Sequence, residues 1–202
     1  MALLIDESFL PAKLTAPPMN DEQFAAFCSE HPDLRFEITA QGEMLVMAPA
    51  SLKTGARNAR IVQQLANWAE GDGRGFVFDS SAGFVLPNGA LLSPDAAWIA
   101  HPRIDAIDAS NQDSFLRLCP DFVIELRSPS DRLGDLRKKM NEWIDNGAQL
   151  GWLIDPETRS VEVYCSGRVP EILVDPPSVA GVGPVAGFVL PLGQRLWEPF
   201  VR

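Results

Sequence analysis

Apolar and polar positions along this chain follow two periods, and each change of period marks an element. Asn20 reads as the N-cap of a short helix reaching about residue 28, with Asp21 and Glu22 in the first turn, where a helix favours acids. Between 35 and 47 the period is two: Phe36 and Ile38, then Met44 and Val46, flank Gln41-Gly42, which predicts a hairpin. Residues 56–70 return to helical spacing, with Ile61, Leu65 and Trp68 on one stripe and Gly71 as the stop. Short strands are predicted at 76–78, 83–86 and 91–99, the last two joined through Asn88-Gly89. Residues 100–118 are polar and irregular, with one helical turn expected around Phe115. Phe122-Val123-Ile124-Glu125-Leu126 is a nearly continuous apolar run, the pattern of a central strand covered on both faces. A helix is then expected from Ser128-Pro129-Ser130-Asp131 to Asn146, stopped by Gly147. A buried strand over 150–154 turns through Asp155-Pro156 into a hairpin partner over 160–165.

Strands with two long interspersed helices predict a mixed α/β fold built on one central sheet with flanking helices. Residues 1–19 read as an N-terminal arm and 20–175 as the folded domain. Residues 176–202, rich in Pro and Gly, read as a tail wrapped over its surface. No internal repeat is visible.

Composition narrows the chemistry. A chain of 202 residues that is 46% hydrophobic can bury a full core without disulfides or a structural metal. Cys28, Cys119 and Cys165 are isolated from one another, which argues against a disulfide scaffold or a zinc ribbon and fits a reducing compartment. His31 and His101 lack ligand spacing, so zinc and histidine-triad chemistry are improbable. The first ten residues carry Asp6 and Glu7 and resemble no signal peptide, and no stretch has the length and apolarity of a membrane span. The expectation is a cytoplasmic protein with no membrane partner. A net charge of −10 argues against non-specific coating of nucleic acid, while leaving room for a local basic rim.

Two acids stand inside apolar strand sequence, where an unpaired carboxylate is costly. Asp95 follows Ser93-Pro94 and leads into Ala96-Ala97-Trp98-Ile99; Glu125 lies within the central run. Each is explained equally well by structure (a turn cap for Asp95, an arginine salt bridge for Glu125) or by a bound cation. In the following helix, Leu133, Leu136, Met140, Trp143 and Ile144 make the apolar face. Lys139 lies about 80° from its centre, where its ammonium can reach over the sheet edge or simply pair with Asp135. Oxygen ligands of this kind suit Mg²⁺ or Mn²⁺, and two carboxylates with a lysine support phosphodiester hydrolysis best. A paired-carboxylate glycosidase would leave Lys139 without a role.

Ser93-Pro94-Asp95, Pro120-Asp121 with the run through Glu125-Leu126-Arg127-Ser128-Pro129-Ser130-Asp131, and Asp135-Leu136-Arg137-Lys138-Lys139 together resemble the Uma family of endonucleases. That family lies within the restriction-endonuclease-like, PD-(D/E)xK nuclease superfamily. The continuation from Trp143 to Pro156, and Phe36-Glu37-Ile38 with Gly42-Glu43, are also similar to it, so the likeness spans roughly 20–165. The resemblance implies Asp95 and Glu125 as metal-binding acids, with the Leu126 carbonyl and Glu37 as further ligands, and Lys139 as the catalytic lysine. The superfamily pattern places its lysine at 127, where this chain has Arg127, a residue that binds phosphate but does not readily lose a proton. The expectation is therefore a Mg²⁺-dependent DNA endonuclease, working as a homodimer by analogy with the superfamily. Arg57, Arg60, Arg127, Arg132 and Lys53 are expected phosphate contacts. The competing expectation is a silent nuclease-fold module that binds or regulates without turnover.

Overall fold

The computed structural model describes residues 10–15, 17, 19–108 and 115–201. The chain opens with β1 (Ala12–Thr15) and α1 (Asp21–Glu30), whose Asn20 cap and Gln23 form a reciprocal capping box. The predicted hairpin follows as β2 (Arg35–Ile38) and β3 (Glu43–Met47), turned through Gly42 at φ 81°. Helix α2 (Leu52–Asp72) is longer than predicted: Ser51 caps its start, and Gly73 ends it in the left-handed conformation, not Gly71.

Next come β4 (Gly75–Asp79), β5 (Phe84–Val85) and β6 (Leu91–Leu92), with Gly89 at φ 89° in the turn between the last two. The single strand expected over 91–99 is two. Pro94 cannot donate to a ladder, so the chain leaves one sheet after β6 and enters another as β7 (Ala96–Ala100). A short α3 (His101–Asp105) follows. The helical turn expected at Phe115 is not formed: Phe115 is irregular, Leu116 bridges to Phe84, and 109–114 lie outside the described residues.

Then come β8 (Phe122–Leu126), α4 (Leu133–Asp145), β9 (Leu150–Asp155), β10 (Ser160–Cys165) and β11 (Glu171–Val174). Two sheets replace the one expected. Strands β1-β3-β2-β6-β5 form a five-stranded sheet, and β11-β10-β9-β8-β7-β4 form a six-stranded one with β8 and β9 parallel. As the central-strand pattern required, β8 is buried along its whole length.

The sequence after 176 does not drape over the surface. It forms the hairpin β12 (Ser178–Ala180) and β13 (Val189–Pro191) and a final helix, α5 (Gly193–Trp197). Val179, Phe188, Leu190, Leu196 and Trp197 are buried in one cluster with Ile61, Leu65, Trp98, Phe122 and Trp152. This tail closes one face of the six-stranded sheet alongside α2. The opposite face carries α4, through Met140 and Trp143 against Val123, Leu153 and Tyr164. Gly151 permits that contact, because a Cβ there would lie 2.4 Å from the Met140 methyl.

Candidate active site

The period of β8 decides where Glu125 points. Phe122, Ile124 and Leu126 face the α2 side, so Val123 and Glu125 face α4. On α4, Lys139 and Trp143 stand one turn apart, and both reach Glu125 Oε1, Lys139 Nζ at 2.9 Å and Trp143 Nε1 at 2.8 Å. Lys139 also meets Glu37 Oε1 at 2.7 Å and the Ser93 carbonyl at 3.0 Å. An ammonium has three protons to donate, and these three acceptors use them all. The alternative pair with Asp135 is not formed, because Asp135 takes Lys138 instead.

Asp95 immediately precedes β7. Ala96 pairs with Ile124, so one further rung sets Asp95 opposite Glu125, and Asp95 Oδ2 accepts the Leu126 N–H at 2.8 Å. Glu37 is buried on β2, and its Oε1 accepts the Ser93 N–H at 3.0 Å. The structure thus brings together Glu37, Asp95, Glu125 and Lys139, from a strand of one sheet, the crossing between sheets, a strand of the other and a helix. Leu126 sits beside them, with its N–H engaged by Asp95.

The electrostatics follow from three carboxylates around one ammonium. Burial raises the Glu125 carboxyl to about 8; Lys139 pulls against that rise, and the charges of Asp95 and Glu37 add to it. Burial also raises Asp95, against the opposing effects of the Leu126 N–H, Lys139 and Arg35. Burial disfavours the charge on Lys139, but Glu125 and Glu37 outweigh it and hold the ammonium above the usual lysine range. Lys139 is therefore a fixed cation at neutral pH, not a base.

The expected phosphate contacts divide. Arg57 is buried and donates to the carbonyls of Leu196 and Trp197, both at 2.7 Å, so it anchors α5 and does not face a ligand. Arg127 turns from the site to Asp155 at 2.9 Å and Glu157 at 2.7 Å, with 18% of its side chain exposed. Arg132 and Lys53 are exposed and Arg60 half-exposed, at the helix surfaces. Sequence reasoning missed Arg35, which stands two residues before Glu37 on β2 and acts electrostatically on Asp95. Once the resemblance places Glu37 in the site, the period of two puts Arg35 on the same face of the strand.

Among the described residues no group of three or more His, Cys, Asp or Glu is arranged as a ready-made metal cage. The donor set nevertheless fits a hard divalent ion held by few protein ligands. Mg²⁺ commonly takes one or two carboxylates and completes its shell with water and substrate oxygens. Asp95 and Glu125 would supply that pair, with a bound cation displacing the proton that burial holds on Glu125.

A mixed six-stranded sheet flanked by helices, with an acid cluster where an antiparallel sheet hands over to it, makes this an α/β fold. A crystal structure described as a putative nuclease belonging to DUF820 from Anabaena variabilis superposes with a TM-score of 0.72 at 20% identity, over 90% of this chain and 98% of that one. The Uma2 family model, described as "Putative restriction endonuclease", matches residues 21–193, and the chain belongs to that family. No curated protein matches it.

Proposed function

We propose that this protein is a Mg²⁺-dependent endonuclease that hydrolyses phosphodiester bonds of DNA, with Asp95 and Glu125 holding the ion. One observation carries the reading: buried acids drawn from both sheets converge and have only a single lysine to share. A structural role would pair each acid with its own cation, as happens elsewhere in this fold. The bound ion would supply an acidified water and neutralise charge on the phosphoryl oxygens. The chain's own groups do the positioning. Trp143 Nε1 and the Leu126 N–H fix the carboxylates of Glu125 and Asp95, and Lys139 keeps a positive charge beside them. Its charge favours the anionic transition state without proton transfer.

No helix among the described residues is long and apolar enough to cross a membrane. The test is plasmid cleavage with Mg²⁺ by the wild type and by Asp95→Asn and Glu125→Gln. Wild-type nicking that both variants lose while remaining folded supports the assignment. Equal cleavage by either variant overturns it. Folded wild type that binds Mn²⁺ but never cleaves would favour the silent binding module.

A further inference from the structure

We propose that the cleft between Arg35 and the first turns of α2 binds a backbone phosphate of the nucleic-acid substrate, adjoining the phosphodiester presented to Asp95. This inference rests on the nuclease reading for its ligand and on separate residues for its site. The cleft has a volume of about 300 Å³ and is lined by Arg35, Gly55, Asn58, Ser80 and the carboxylates of Asp79 and Asp95, with alanine and valine side chains making an apolar wall. One water takes about 30 Å³ in the liquid, so a phosphate with part of its sugar fits where only solvent otherwise would.

Arg35 is the cation that faces this space. Other arginines of the fold are engaged: Arg57 with two carbonyls, Arg103 with Asp121, Arg127 with Asp155 and Glu157, Arg137 with Glu162. Among the described residues Arg35 hydrogen-bonds the neutral Ser80 hydroxyl, while the charges of Asp79 and Asp95 act on it through space. A guanidinium with five donors and one neutral acceptor retains the fork that matches a phosphate.

Ser80 Oγ also receives the Asn58 amide at 3.4 Å, so the hydroxyl proton is left to donate into the cleft. Asn58 Oδ1 is buried without a donor and, as an acceptor, would take a water proton and not the phosphate itself. Asp79 Oδ1 accepts from the Ser81 N–H at 2.9 Å and the Ser81 hydroxyl at 2.5 Å, and its charge also acts on Arg35, so a phosphate would share the guanidinium with it. The strand period completes the geometry, since Glu37 enters the acid cluster and Arg35, on the same face of β2, stands over its rim.

Gly55 supplies a steric probe. A Cβ there meets nothing within 4 Å, so Gly55→Leu would project into the cleft while replacing a helix glycine with a strong helix former. The experiment is fluorescence anisotropy of a labelled DNA duplex of about twenty base pairs, without added metal, between roughly 50 and 200 mM salt. Arg35→Ala should weaken binding about tenfold and reduce the slope of log affinity against log salt by about 1, the signature of one lost phosphate contact. Arg35→Lys should recover the slope. Gly55→Leu should weaken binding while melting at or above the wild-type temperature. Unchanged affinity and slope in Arg35→Ala, or no duplex binding by the wild type at the lowest salt, overturns the proposal. Plasmid cleavage is read separately. A wild type that cleaves with the same KM as Arg35→Ala ends this proposal and spares the nuclease assignment. Arg35-dependent binding without any cleavage does the reverse.

Discussion

Two buried carboxylates flank opposite ends of one strand, four positions apart, and their surroundings differ in kind. Asp121, 2% exposed at the start of β8, accepts the Ala100 N–H at 3.0 Å, Arg103 at 2.8 Å and the Gln149 amide at 2.8 Å. It has its own cation and a full set of donors. Glu125, 3% exposed near the other end, shares Lys139 with Glu37 and stands opposite a third acid, Asp95. Glu162 follows the Asp121 pattern, with Arg137 and Tyr164, and Asp155 has Arg127, which it shares only with the solvent-exposed Glu157. Burial alone therefore does not distinguish a working acid from a structural one. The distinction lies in whether each buried acid has a cation of its own or must share one.

The largest expected effect breaks the comparison from the Glu125 side. Glu125→Gln should cut Mg²⁺-dependent cleavage by about 100-fold or more, as loss of a group acting on the transition-state charge does, without lowering the melting temperature. A smaller, opposite result is expected at the other end of β8. Asp121→Ala leaves the Ala100 N–H and Arg103 without their acceptor, and should cost about 3 kcal/mol of stability by denaturant titration while leaving metal binding intact. If both substitutions destabilise equally and neither touches activity, the contrast is false.

Acid–base linkage sharpens it further. The Glu125 carboxyl sits near 8 in the folded chain against an ordinary value of 4.5, so the folded state holds an extra proton between those values. Stability of the metal-free protein should then fall as pH rises from about 5 to 8 and level off above, by at most about 1.4 kcal/mol per pH unit for one proton. Glu125→Gln should flatten that slope; Asp121→Asn should not. The smallest effect is at 127. Arg127→Lys keeps a cation beside Asp155 and Glu157, touches none of the site acids, and should shift stability by about 1 kcal/mol, with cleavage changed only a few-fold. A collapse of cleavage there would return the catalytic cation to the superfamily position.

Much of this was legible in the residues. An acid inside the apolar run 122–126 announced a buried charge, and the alternation of β8 turned it toward the helix that carries Lys139. Lys139 was harder, because helical projection placed it on the flank, and only the two acids inside the fold draw it inward. Arg57 and Arg127 looked like surface cations, since sequence cannot show the carbonyls of Leu196 and Trp197, or Asp155, that occupy them. The second sheet was hidden by treating 91–99 as one strand, although Pro94 carried the signal to divide it. Glycine and proline disguised the tail, whose Phe188 and Trp197 complete a core formed by residues far away in the chain.

Calorimetric titration with Mn²⁺ of the wild type, Asp121→Asn and Glu125→Gln, side by side, tests the central claim most directly. Acids that share one lysine and hold a divalent cation predict binding heat for the wild type and Asp121→Asn, and none for Glu125→Gln. Equal heats from all three, or none from the wild type, would contradict it.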